Sequence, residues 1–222
     1  VVEMQALQRA DNRPEFAADS IGRFVLRASD RTIRFMHWGR PINYAGRHTN
    51  ARPEYGNDLE RMLMLGASAK DPDEGVTGKF GLGFKSLLLA SRAPRVASGD
   101  LSFDVVAGCL PRKWKLSAAT RQFQQSVSGP VQKGLRSTLI ELPLDDRGST
   151  SQVVDRFAAL AGLLPVFARQ VVQVEVENES HQWRPRRMPL EGDCVVEVGS
   201  VSLPVQGGKV QSRLLVIRGA SG

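Results

Sequence analysis

Three glycines at offsets zero, three and five mark the stretch best suited to chemistry: Gly78-Lys79-Phe80-Gly81-Leu82-Gly83-Phe84-Lys85-Ser86. Glycine accepts positive φ and lets a backbone approach a ligand closely. The stretch runs directly into an apolar segment, Phe84 to Ser91, that reads as a helix. A helix starting there offers unpaired N–H groups and the positive end of its dipole. Together, the glycine turn and the helix start describe an anion site, with phosphate as the fitting group. The plainer alternative is a tight loop that lets the helix pack closely.

Two common phosphate motifs fail on spacing. A P-loop needs glycine, four residues, then Gly-Lys-Ser/Thr, and here Phe84 separates Gly83 from Lys85-Ser86. A dinucleotide fingerprint starting at Gly81-x-Gly83 needs a third glycine where Ser86 stands, and a strand where a polar loop precedes it. Within the segment, Lys79 and Lys85 are the candidate cations. The Lys85 ammonium either faces phosphate or lies in water above its own buried stem. His37, His48 and His181 are scattered, with no nucleophile elbow and no metal spacing.

The elements that would position these residues follow from pattern. Residues 1–10 read as the end of a helix that is broken at Asp11-Asn12-Arg13-Pro14. Arg23–Ala28 and Thr32–Trp38 read as a hairpin, and Asn57–Leu65 as a helix stopped by Gly66. Residues 67–77 are a charged loop. Strands are expected at Arg95–Ala97, Leu101–Ala107, Lys113–Leu116, Ser137–Leu144 and Val171–Val176, and a helix over Thr150–Phe167. Gln122–Gly134 is polar and gives no clear period. After His181 the pattern is all β: Gln182–Arg184, Cys194–Val198 and Ser212–Ile217. This order describes an α+β sandwich, with a sheet on one side and helices on the other. Strict βα alternation is missing, which argues against a doubly wound parallel sheet.

Composition narrows the function classes. The chain has 222 residues, 41% hydrophobic and 24% charged, which excludes a disordered chain. No apolar run approaches the ~20 residues of a membrane helix, so no membrane partner is expected. Val1-Val2-Glu3 lacks the opening of a secretory signal. Cys109 and Cys194 lie far apart, which fits a reducing cytoplasm. The net charge of +7 suits solubility and an anionic nucleotide, and also admits a nucleic-acid partner. No aromatic–basic stacking pattern or helix-turn-helix signature accompanies it.

Ser68-x-Lys70, followed by the glycine segment Gly78 to Ser86, closely resembles the glycine box of the GHKL ATPases. That group includes gyrase, histidine kinases, the large heat-shock chaperone and the mismatch-repair MutL proteins. The Phe-Gly-Leu-Gly-Phe-Lys-Ser wording looks most like the sacsin-type, chaperone-like branch. Companion stretches follow in the family's order: Phe35 to Ile42, Ser137 to Leu142, and Leu163-Leu164-Pro165 with Val172-x-Val174.

The resemblance implies a two-layer α+β sandwich of the Bergerat type over residues 1–178. Residues 179–222 would then be a β-rich part of a following domain. It implies ATP, or ADP, held between sheet and helices under a nucleotide-controlled lid at roughly residues 44–80. The ligand contacts it carries onto this chain are Arg9, His37, Gly39, Lys70, Gly78, Lys79, Phe80, Gly81, Leu82, Gly83, Phe84, Lys85 and Thr138. The family's first motif departs from its pattern here. Gln5 stands where a catalytic Glu belongs and Arg9 where an Mg²⁺-binding Asn belongs. Gln cannot take a proton from water, and Arg cannot coordinate a cation. Shifted registers put Glu3 in the catalytic role or Asn12 in the metal role, but neither keeps the full pattern. His37 takes the place of the base-reading Asp, and Trp38 replaces Asn. The expected activity is therefore nucleotide binding with hydrolysis weak or absent, and the presence of Mg²⁺ stays open. Additional domains or protein partners fit this reading. So do two alternatives: a degenerate interaction or scaffold module of a larger, defence-related protein, and a basic nucleic-acid-binding module.

Overall fold

The computed structural model describes residues 22–38, 41–42, 58–64, 84–128, 137–145, 149–168, 171–190, 194–205 and 207–219. The expected hairpin is present as β1 (Arg23–Ser29) and β2 (Thr32–Trp38). Asp30 turns it at φ +49°, a left-handed conformation that Asp adopts more readily than most residues. Six more strands extend it: β3 (Arg95–Ser98), β4 (Leu101–Val106), β5 (Leu110–Lys113), β6 (Ser137–Pro143), β7 (Gln173–Val176) and β8 (Glu179–Gln182). Among the described strands the sheet order is β5-β4-β3-β6-β2-β1-β7-β8, and of these pairs only β1–β7 is parallel. The chain is α+β, as its element order implied.

One face of the sheet carries the main core. Phe24, Leu26, Ile33, Leu142, Val174 and Val176 pack beneath α3 (Thr150–Ala161) and α4 (Leu164–Phe167), which contribute Val153, Phe157 and Leu164. The Phe24 and Phe157 rings lie 5.6 Å apart. Further along the same face, Val96, Phe103 and Val105 pack against Phe84 and against Met62 of α1 (Asp58–Leu63). Each such side chain contributes about 1.5–3 kcal/mol when fully buried.

Several expected elements differ from those observed. The segment expected as a helix over Phe84–Ser91 is a five-residue 3-10 helix, Lys85–Leu89. Leu87 and Leu88 reach into the core clusters while Leu89 is 91% exposed, so the apolar run does not specify one buried stripe. The strand expected at Lys113–Leu116 lies earlier, at Leu110–Lys113, because Ala107 and Gly108 turn the chain with positive φ. The helix expected over Thr150–Phe167 is two helices, separated at Gly162 and restarted with Pro165 in the first turn of the second. The polar region without clear period, Gln122–Gly134, overlaps the end of α2 (Ala118–Ser128), a helix the sequence did not predict. It lies on the opposite face of the sheet, where Phe123 and Val127 meet Val25, Met36 and Trp38.

Beyond β8 the chain forms a second, antiparallel sheet of β9 (Arg186–Pro189), β10 (Val195–Val205) and β11 (Gly208–Arg218), in the order β11-β10-β9. These strands are longer than expected and begin elsewhere. Gln182 ends β8, and the next strand starts only at Arg186. The second sheet packs on the helices. A Cβ on Gly162 would lie 2.6 Å from the Ser202 carbonyl oxygen, so only glycine allows this approach. Arg218 Nη2 also donates to the Val166 carbonyl of α4.

Candidate functional site

Strand register aligns one transverse row across seven strands: His181, Val174, Phe24, His37, Thr138, Ser98 and Leu101. Because side chains alternate with a period of two, the whole row projects from the face covered by α3 and α4. Its middle is polar. Thr138 is 5% exposed and Ser98 1%, and their hydroxyl oxygens lie 2.6 Å apart. The Ile42 N–H donates to Ser98 Oγ at 3.0 Å. Pro41 sits against Gly99, where a Cβ would come within 2.9 Å of the proline ring and where φ is +55°. Glycine at 99 therefore lets the Pro41-Ile42 chain close onto the end of β3.

His37 is the cross-strand partner of Thr138. Burial pushes its imidazole pKa down to about 3, so the ring is neutral through the physiological range. A neutral imidazole presents one donor and one acceptor. With two hydroxyls beside it, this strip can hydrogen-bond the polar edge of a heterocycle or a ligand hydroxyl. None of these groups is a carboxylate or a charged base at neutral pH.

The glycine segment enters the described structure at Phe84. The Phe84 side chain is 7% exposed and belongs to the core beside β3 and β4. Lys85 Nζ donates to the Met64 carbonyl at the end of α1, a partner that the sequence did not suggest. The 3-10 helix that follows is too short to provide the dipole expected of a full helix start. Of the site residues drawn from sequence, His37, Phe84, Lys85 and Thr138 are described, and all four belong to the helix-covered side of the sheet. Arg9, Gly39, Lys70, Gly78, Lys79, Phe80, Gly81, Leu82 and Gly83 lie outside the described residues, as do Glu3, Gln5 and Asn12. Ser98 and Ile42 were missed. A serine at a strand end and an apolar loop residue give no local signal, and only the register joins them to Thr138.

The opposite face carries a second row: Arg27, Arg34, Glu141, Arg95, Asp104 and Arg112. Glu141 is 2% exposed and accepts from Arg34 Nε at 2.9 Å, Arg95 Nη1 at 2.7 Å and Thr120 Oγ1 of α2 at 2.7 Å. Burial alone would raise its pKa; the hydrogen bonds from Thr120, Arg95 and Arg34 outweigh burial and hold the carboxyl below its usual range. The Arg112 guanidinium does the same for Asp104. Every carboxylate in this row is occupied by arginine, which identifies it as structural.

Among the described residues, no group of three His, Cys, Asp or Glu could hold a metal ion. Cys109 and Cys194 are free thiols. No described helix is long and apolar enough to cross a membrane.

No protein-family model matches the sequence, and no curated protein matches it. Among solved structures, the chain is similar to the ATPase region of Saccharomyces cerevisiae topoisomerase II, with a TM-score of 0.47 and 14% identity. It is similar to the same region bound to ICRF-187 (dexrazoxane), with a TM-score of 0.49 and 14% identity. A third similar structure is the ATPase and transducer domains of DNA topoisomerase II from Balamuthia mandrillaris, with a TM-score of 0.47 and 17% identity. Each match covers 90% of this chain but only 57%, 57% and 55% of the other, so the chain spans little more than half of those structures.

Proposed function

We propose that this chain is a nucleotide-binding module of the GHKL type that holds ATP or ADP on the helix-covered face of its large sheet. One observation carries the reading. The segment resembling a phosphate cradle, Gly78 to Ser86, includes Phe84, which is buried on the same face as the neutral polar strip of His37, Thr138 and Ser98. In this reading the strip meets the base and the glycine segment meets the phosphates. Gln5 and Arg9 leave the reaction without a proton acceptor, so nucleotide is bound and hydrolysed slowly or not at all. Arg9 takes over phosphate charge that a metal would otherwise neutralise. A chaperone-like role and a nucleotide-controlled lid over residues 44–80 belong to the same reading and rest on the sequence resemblance.

The test is calorimetry with ATP and with ADP, each in Mg²⁺ and in EDTA, alongside phosphate release on the same preparation. The expected result is saturable binding in both buffers and no phosphate above the blank. At nucleotide one hundred times Kd, unfolding should become harder by about 2.7 kcal/mol. Absence of binding at millimolar nucleotide would overturn the reading. Mg²⁺-dependent phosphate release would overturn the claim of lost hydrolysis alone.

A further inference from the structure

The two faces of the small sheet treat arginine differently. On the inner face, Glu197 is 3% exposed and accepts from Arg187 Nε at 2.9 Å, Arg218 Nε at 2.6 Å and Trp183 Nε1 at 3.3 Å. On the outer face, the register gives three successive rows: Met188–Val196–Ile217, Arg186–Val198–Leu215, and Ser200–Arg213. Leu215 is 64% exposed and Ile217 60%. No outward position on these three strands is acidic. The side chains of Arg186 and Arg213 make no ion pair or hydrogen bond with a described residue. Both line a shallow groove of about 490 Å³, together with Met188, Val198 and Ser200.

We infer that this outer face binds an acidic amphipathic helical segment of a protein, with its carboxylates on Arg186 and Arg213 and its apolar residues on the Val196, Val198, Leu215 and Ile217 surface. Charge and shape both select this occupant. A wholly apolar partner would bury two unpaired guanidiniums, which is costly. A nucleic-acid backbone would satisfy the arginines but leave the apolar rows in water. Three strands span roughly 10 Å, close to the width of one helix. Arg186 and Arg213 are two strands and two residues apart, a diagonal of roughly 12 Å. Two turns of helix, from i to i+7, advance about 10.5 Å, within reach of two flexible arginines.

The test uses the 222-residue chain and three labelled probes. One is a 15-residue peptide with leucines along one face and two glutamates seven residues apart. The second carries lysines at those two positions, and the third is a 20-nucleotide single-stranded DNA. Anisotropy should show the glutamate peptide binding at least tenfold more tightly than the lysine peptide, with amide shifts confined to β9, β10 and β11. The double substitution Arg186→Glu with Arg213→Glu should reverse that preference, and Leu215→Gln should weaken both peptides. Both sites are exposed, and unchanged circular dichroism would establish that the variants fold. No binding of the glutamate peptide, equal affinity for the two peptides, or a preference unmoved by the double substitution would overturn the inference. So would tighter binding of the DNA through the same two arginines.

Discussion

The two faces of the eight-stranded sheet, compared along rows only three residues apart on β1 and β2, solve opposite problems. The back row, Arg27–Arg34–Glu141–Arg95–Asp104–Arg112, alternates charge through its centre and gives each carboxylate a guanidinium. The front row is neutral, and its polar strip is held by hydroxyls, one backbone N–H and an uncharged imidazole. In the ionic row both carboxylates are already committed to guanidiniums, whereas a neutral strip can exchange internal hydrogen bonds for a ligand's at little cost. The largest expected effect is therefore on the back face. Glu141→Leu should destabilise the chain by about 3–5 kcal/mol, because Arg34, Arg95 and Thr120 lose a shared partner. Urea titration measures this. A loss below 1 kcal/mol would mean that the row is not the rigid back of the sheet.

Acid separates the faces by window. Glu141, Glu175, Asp104 and Glu197 all have depressed pKa values in the fold, so their stabilisation is complete above about pH 4.3 and is lost as pH falls through the folded values. His37 works the other way round. Its folded pKa of about 3 lies below the unfolded value near 6.5, so the unfolded chain binds the extra proton and stability falls as pH drops through that interval. His181 adds in the same direction, since burial lowers its pKa, partly offset by Glu179. The slope from His37 is at most about 1.4 kcal/mol per pH unit. His37→Asn should flatten the profile from about pH 6 down to about pH 3.5, leaving the loss that comes from the paired carboxylates below about pH 4.3 superimposed on it. A profile that His37→Asn does not alter would place His37 in water and remove it from the strip.

The sequence showed the two rows unequally. The hairpin of β1 and β2 was legible as two apolar-bearing runs joined by Ser29-Asp30-Arg31, and the strand at Ser137 by its alternation of apolar and polar positions. The pairing of β6 between β2 and β3 was not, because no local pattern states which distant strands become neighbours. The ionic row is hidden for the same reason, since Arg34, Glu141 and Arg95 are separated by long stretches of chain. α2 was missed because its buried positions, Thr120 and Val127, are few and its surface is polar. The 3-10 helix was misjudged because Leu87, Leu88 and Leu89 look like a buried run, yet Leu89 faces solvent. His37 and Thr138 were found from motif likeness, and their shared row with Ser98 required the register.

On the front face, Thr138→Val keeps the shape and removes one hydroxyl. Ser98 Oγ then keeps the Ile42 N–H but loses its 2.6 Å partner, a cost of about 1 kcal/mol to the fold. Nucleotide affinity should fall by more than that cost implies, tenfold or greater, if the strip meets the base. Calorimetry with ATP on the parent and the variant gives the ratio. Equal affinities would confine Thr138 to packing and shift the proposed base contact elsewhere.

The smallest effect is expected at the end of the ionic row, where Arg27 is redundant. Glu175 takes two bonds from Arg23, Nε at 2.7 Å and Nη2 at 2.9 Å, and only a longer one from Arg27 at 3.3 Å. Arg27→Gln therefore leaves the carboxylate paired, and its cost should stay below about 1 kcal/mol, as for most partly exposed ion pairs. Arg34→Gln, by contrast, removes a bond from the most buried carboxylate of the row and should cost clearly more. The ratio of the two losses, measured by urea titration, tests whether the row acts as a set of local pairs or as one unit. Local pairing predicts a steep decline from Arg34 to Arg27. Similar losses at both positions would mean that charge is coupled across the whole sheet, in which case the back face would transmit a disturbance from one edge to the other instead of absorbing it pair by pair.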